Sequence, residues 1–315
     1  MNRHRTALSV LLAAGALVAG ALTAAGPSIA ADAPASFRQQ HTHGFWTAER
    51  MRGAAPLDVT AVPGAARTPV ATSATPTTIA PTAAASPTAF PQAGGAWTGG
   101  GAVVKTSGRV FFTIGDRTAS CSGDSVTSAN GSTVITAGHC VKYQGAWHTN
   151  WVFVPAYNNG SAPYGQWSAT KTFATDQWAA SEDMNMDVGL AVVAPLNGQT
   201  LSQAVGAQGI AFNGGYNKKM YAFGFPAAAP YDGTKLVYCS GNSGKDFLLT
   251  KDHGLGCNMT GGSSGGPWFQ DFNEATGLGT QVSVNSFGYT FLPNRMYGPY
   301  FGNEAKAAYD KAQTS

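Results

Sequence analysis

From Gly94-Gly95 to its end the chain is divided at close intervals by turn residues, and between them lie only short β-prone runs. Ala129-Asn130-Gly131 and Tyr157-Asn158-Asn159-Gly160 are examples of the turn signals. The runs are Arg109 to Ile114, Ser132 to Thr136, Trp151 to Pro155, Val188 to Val193, Met220 to Phe225, Lys235 to Cys239, Gln281 to Ser286 and Arg295 to Tyr300, the last broken by Gly298-Pro299. Asn303 to Ala312 alone reads as a helix, with Asn303 as cap and Glu304 in its first turn. Many strands without intervening helices exclude parallel α/β layering and predict an all-β, antiparallel sandwich or barrel. A Gly/Pro/Ala-rich stretch near Ala194 to Gly215 divides the strands into two groups, as two β subdomains require.

The first third of the 315 residues has a different texture. Asn2-Arg3-His4-Arg5 precedes an apolar run from Leu8 to Leu22 and small residues at Ser28-Ile29-Ala30, the layout of a secretory signal peptide over 1-30. The run falls short of the roughly 20 residues that a membrane span needs. Residues 31-95 are rich in Ala, Pro and Thr, lack helical or strand periodicity, and read as a pro-segment or linker that builds no core. His41 and His43 belong to that segment and are expected at the surface.

In an oxidising compartment four cysteines favour disulfides. Three pairings are open, and the sequence-local one joins Cys121-Cys140 and Cys239-Cys257, each bridge contributing about 3 kcal/mol by loop closure. A zinc site from Cys239, His253 and Cys257 lacks the paired short spacings of zinc ligands. A net charge of +3 with 11% charged residues, the cations scattered, argues against a nucleic-acid partner.

Three short motifs carry chemistry. Thr136-Ala137-Gly138-His139-Cys140 sets a histidine beside a cysteine at a strand end, Met186-Asp187-Val188-Gly189-Leu190 sets a carboxylate just before an apolar strand, and Gly262-Ser263-Ser264-Gly265-Gly266-Pro267 surrounds a serine with glycine. A buried acid is costly unless hydrogen-bonded, and a histidine N-H is a suitable donor. Glycine beside a serine lets backbone N-H groups approach a developing oxyanion. The serine run also satisfies the Gly-x-Ser-x-Gly elbow of α/β-hydrolases, but that fold needs its histidine after the serine, and all six histidines precede Ser264. Gly123-Asp124-Ser125 lacks the following Gly-Gly-Pro and reads as a turn.

Together the motifs resemble, in residues and in chain order, those of the trypsin/chymotrypsin-like serine peptidases, closest to the bacterial secreted branch, which includes glutamyl endopeptidases. The resemblance runs from about Gly100 to the C-terminus. It implies two antiparallel six-stranded β-barrels, about 100-200 and 205-300, within a peptidase domain over 96-315 that ends in a short helix at 303-312. It further implies a secreted endopeptidase acting on polypeptides through His139, Asp187 and Ser264, with the N-H groups of Gly262 and Ser264 as oxyanion hole. Neither cofactor nor metal is required, the mature form needs no membrane, and it is expected to act as a monomer. Asn258, Thr260 and the Ser286-Phe287-Gly288 strand fall on substrate-binding positions. Asn258 replaces the carboxylate that selects Lys or Arg, and Ser286 stands where glutamyl endopeptidases place a histidine, which points to a neutral or apolar preference, while Thr260 resembles a pocket threonine of those same enzymes and leaves an acidic preference open. Ser263 replaces an aspartate that pairs with a new N-terminal amine in many animal relatives, so maturation here is expected to remove the pro-segment without forming that ion pair. An inactive binding protein and an esterase on the same scaffold are the alternatives.

Overall fold

The structure, a computed structural model, describes residues 35-61, 70, 74-80 and 90-315. The signal-peptide assignment therefore lies outside the described residues. Six antiparallel strands close the first barrel: Trp167–Ala174, Thr149–Pro155, Ser107–Ile114, Arg117–Val126, Thr133–Thr136 and Gly189–Val193, the last pairing back to the first. Val110, Phe112, Val134, Ile135, Trp151, Phe153 and Leu190 fill it. The second half is laid out as two sheets. Gly209–Phe212, Leu278–Val284, Pro267–Asn273, Lys219–Gly224 and Val237–Asn242 make one, and His253–Gly256, Leu292–Gly298 and Phe287–Tyr289 form the centre of the other.

Arg117–Val126 escapes the sequence pattern. It carries the buried polar residues Ser120, Ser122, Asp124 and Ser125, so it lacks the apolar repeat that marks a strand. Gly123-Asp124-Ser125 is accordingly mid-strand and not a turn; Asp124 accepts from Ser107 Oγ at 2.9 Å across the ladder. The helix Asn303–Gln313 is as expected, with Ala305, Ala308, Tyr309 and Ala312 facing the first barrel at helical spacing. Its N-cap is Gly302 and not Asn303, whose Oδ1 instead accepts from Asn213 Nδ2 at 3.0 Å.

The larger departure is at the N-terminal side. The segment 35-61, expected to build no core, packs closely on the two halves. Ser36–Arg38 adds an antiparallel strand to Trp167–Ala174. The helix Ala48–Gly53 starts where Thr47 Oγ1 accepts the Arg50 N-H. Trp46, Met51 and Ala54 are buried against Phe111, Val152, Tyr157 and Phe225. A few large anchors in an Ala/Pro-rich background suffice for docking, although they generate no periodicity. Thr77–Ile79 and Gln92–Ala96 likewise pair at the two edges of the seven-stranded sheet.

Candidate active site

His139 sits in a one-turn 3-10 helix, Gly138–Cys140, that follows the barrel strand Thr133–Thr136. The disulfide Cys121–Cys140 ties that turn to the neighbouring strand. Two buried indoles hold its far side: Trp151 Nε1 donates to Cys140 O at 3.0 Å, and Trp178 Nε1 donates to Lys142 O at 2.8 Å. His148 stacks on Phe112 with ring centroids 4.5 Å apart and places Nε2 2.8 Å from the His139 carbonyl. Burial drives the His148 pKa down to about 4, so its imidazole is neutral at pH 7 and its Nε2-H is the donor to that carbonyl.

Asp187 ends the 3-10 turn Met184–Met186 just before Gly189–Val193, which pairs with the His139 strand in the register Gly189 to Thr136. The carboxylate therefore arrives beside the imidazole. Both side chains are fully buried; Oδ2 lies 2.7 Å from His139 Nδ1, and Oδ1 accepts the His139 backbone N-H at 2.8 Å. Ser286 Oγ donates a further bond to Oδ2 at 2.5 Å. A buried carboxylate needs such donors, and this one fixes the ring by gripping both its backbone and its Nδ1.

Ser264 comes from the second half but is bound to the first. Its carbonyl accepts from Ser122 N at 2.7 Å, while Ser122 Oγ donates to Gly262 O at 2.9 Å and accepts the Phe225 N-H at 2.9 Å. Gly265 has φ +80, and a Cβ there would lie 2.0 Å from Thr136 Oγ1 and 2.8 Å from Ala137 N. The loop that bears Ser264 thus passes against the strand end that carries His139, at a distance only glycine permits. Gly262, with φ +91, turns its N-H into the crevice. Asn285 braces the loop: Nδ2 donates to Ser263 O at 3.0 Å, and its carbonyl accepts the Gly265 N-H at 2.7 Å.

Ser122, Asn285 and the two indoles escaped sequence reasoning. Each acts through a long-range contact, and no local spacing announces it.

The crevice between these groups is filled by the chain itself. Leu57 O accepts from Gly262 N at 3.0 Å and from Ser264 Oγ at 3.3 Å. Among the described residues His139 Nε2 is buried without a hydrogen-bond partner. Along Phe287–Tyr289, Phe287 pairs with Val59 and Gly288 with Thr60. Asn258 Oδ1 accepts from Tyr231 OH at 2.6 Å, and Thr260 Oγ1 donates to Ala228 O at 2.7 Å. Ser286, expected at a pocket position, directs its hydroxyl to Asp187 instead.

The second disulfide, Cys239–Cys257, is formed as the sequence-local pairing has it. Among the described residues Cys121, His139 and Cys140 bring three ligand-type atoms within 4.8 Å, but both sulfurs are bonded to each other and offer no thiolate, so the set does not fit a metal ion. No described helix is long and apolar enough to cross a membrane.

No family model matches the chain. Among solved structures it is similar to the protease Anisep from Arthrobacter nicotinovorans, 46% identical with a TM-score of 0.64 over 68% of this chain and 98% of that one. It is 43% identical to the thermostable serine protease AL20 from an extremophilic microorganism, with a TM-score of 0.64 over 68% of this chain and 99% of that one. A Glu endopeptidase is similar in fold alone, at 15% identity and a TM-score of 0.56. Of a curated relative, the extracellular metalloprotease of Bacillus subtilis, the chain matches 20% of the length, at 41% identity over 61 residues.

Proposed function

Because the chain belongs to the chymotrypsin-like serine proteases, we propose that it is a secreted serine endopeptidase in which His139, Asp187 and Ser264 act as one unit. The observation that carries this reading is the convergence of Gly262 N-H and Ser264 Oγ on one peptide carbonyl oxygen, beside an imidazole held by a buried carboxylate. A substrate carbonyl in the place of Leu57 O would meet the hydroxyl that attacks it and the amide that receives its charge. Its polypeptide substrate is what the neighbouring proteases lead one to expect.

The proton path follows from the hydrogen bonds. Asp187 Oδ2 takes the Nδ1-H of His139, which leaves the Nε2 lone pair facing the crevice. Nε2 accepts the hydroxyl proton as Ser264 Oγ adds to the carbonyl carbon, and the resulting imidazolium is steadied by Asp187. The tetrahedral oxygen takes its bonds from the N-H groups of Gly262 and Ser264, donors that are typically each worth about 2.7 to 4 kcal/mol. Nε2-H then protonates the leaving amine, the acyl-enzyme forms on Ser264, and water activated by the same nitrogen releases the acid. Ser286 holds the second lone pair of Oδ2 and so keeps the carboxylate from rotating off the ring.

At the pocket base Asn258 is neutral and engaged by Tyr231, which supports a preference for uncharged side chains. Two disulfides support an oxidising, extracellular destination.

The test is Ser264→Ala in the matured protein, with peptide hydrolysis and fluorophosphonate labelling read together. Loss of both, the former by up to about 10^6 in kcat, is expected; wild-type hydrolysis by the variant refutes the assignment. Ester hydrolysis without peptide hydrolysis would assign the same residues to an esterase.

A further inference from the structure

The occupant of the crevice has a direction, and the direction matters. Leu57 N-H donates to Ser120 O at 2.9 Å on one wall, and its carbonyl sits between Gly262 N and Ser264 Oγ on the other. Before it, Ala55–Pro56 pairs parallel with Arg117–Val126, Ala55 against Ala119 and Pro56 against Ser120. After it, Val59–Thr60 pairs parallel with Phe287–Tyr289. A peptide running the opposite way through the same crevice would be antiparallel to both walls, which is the more stable pairing per residue. It would also present its leaving nitrogen on the opposite side of the carbonyl carbon. Ser264 Oγ is engaged with the carbonyl oxygen of Leu57, and the hydrogen bond to His139 Nε2 that attack requires is not made.

We propose that the catalytic crevice is a binding site for the chain's own segment Ala54 to Ala61, laid in the polarity opposite to a substrate, so that this segment plugs the oxyanion hole without being cut. The proposal rests on the reading of Ser264 as nucleophile. Four buried side chains moor the plug: Met51 and Ala54 against Phe111, Tyr157 and Phe225, and Val59 and Ala61 in the core cluster that contains Phe287 and Tyr297. Asp58 keeps a solvent-exposed edge, yet burial raises its carboxyl above the ordinary range, with the nearby His139 imidazole pulling the other way. An inhibitor held by a short tether acts at a high effective concentration, so activation requires a cut outside the crevice followed by departure of the segment. Once released, it is an inhibitory peptide in its own right.

The experiment compares four full-length proteins: the intact chain, the chain carrying a recognition sequence for an unrelated protease after Ala61 and then severed there, and each of these with Val59→Asp, which places a charge in an apolar seat. The rate of fluorophosphonate labelling is read against a Ser264→Ala blank. Leu57→Pro, which removes the N-H given to Ser120, is a second way to weaken the plug. Labelling at least about tenfold faster in the severed Val59→Asp protein than in the intact chain is expected, with Leu57→Pro rising in the same direction. A synthetic peptide of residues 46-61 should slow labelling of the severed Val59→Asp protein and emerge uncut by mass spectrometry. Equal labelling of the intact chain and the severed Val59→Asp protein, both above the blank, overturns the plug and leaves the nucleophile assignment standing. Cleavage of the peptide after Leu57 overturns its polarity. Labelling of no protein above the Ser264→Ala blank overturns the nucleophile assignment and the plug with it.

Discussion

Asp187→Asn tests the proposed proton path at one atom. The carboxylate accepts from the His139 backbone N-H on Oδ1, and from His139 Nδ1 and Ser286 Oγ on Oδ2. An amide of the same shape has one acceptor and one donor end. The backbone N-H cannot become an acceptor, so the amide oxygen must take the Oδ1 place and the NH2 group must face Nδ1. Nδ1 then has to accept, the ring proton moves to Nε2, and the nitrogen that faces the crevice no longer holds a lone pair for the Ser264 proton. Geometry is kept and the tautomer is reversed. The loss in a triad of this type is about 10^4 in kcat, or roughly 5 kcal/mol of barrier. The assay is steady-state hydrolysis of a peptide substrate by the severed, plug-free protein at pH 7, with a melting curve to establish that the fold is intact. A variant that melts like wild type and retains activity within tenfold would refute the argument, because the imidazole would then be taking its proton without an acceptor at Nδ1-H.

Two further perturbations probe the fold around that site. Burial pushes the Asp124 carboxyl up to about 8, with Ser107 and Thr106 hydrogen bonds opposing it, so it is neutral at pH 7 in the folded chain and ionised in the unfolded one. Stability is therefore shed as pH rises from about 4 towards 8, at up to about 1.36 kcal/mol per pH unit. Asp124→Asn, which still accepts from Ser107, should flatten the dependence of melting temperature on pH over that window; an unchanged slope would contradict the burial argument. Gly265→Ala puts a methyl 2.0 Å from Thr136 Oγ1 and 2.5 Å from Ser122 O at φ +80. Left-handed strain of about 1 to 2 kcal/mol and overpacking of about 1 to 3 kcal/mol should appear as a lower denaturant midpoint with loss of kcat, and a variant with wild-type values for both would show that the loop has more room than its contacts imply.

Much of this architecture is legible in the sequence because it rests on local chemistry. The strand at Gly189–Val193 is an unbroken apolar run, and the helix Asn303–Gln313 repeats its buried alanines at helical spacing. His139, Asp187 and Ser264 lie in short motifs whose flanking glycines and cysteine report close packing. What is hidden rests on partners far along the chain. Arg117–Val126 buries polar side chains that are satisfied by partners elsewhere in the chain, so its composition imitates a loop. The plug is hidden for a related reason: Ala55–Pro56 and Val59–Thr60 become strands only because Arg117–Val126 and Phe287–Tyr289 supply partners. Nothing local in Leu57 indicates that its carbonyl oxygen would lie between Gly262 and Ser264.

Ser122 gives the two halves a common fate. It is a residue of the first barrel, yet its amide and hydroxyl hold the Ser264 and Gly262 carbonyls and its oxygen accepts the Phe225 amide of the second half. Any shear or parting of the halves would first pull on the loop bearing Ser264, the proposed nucleophile, so heat or denaturant should silence the protein before either half loses its own sheets.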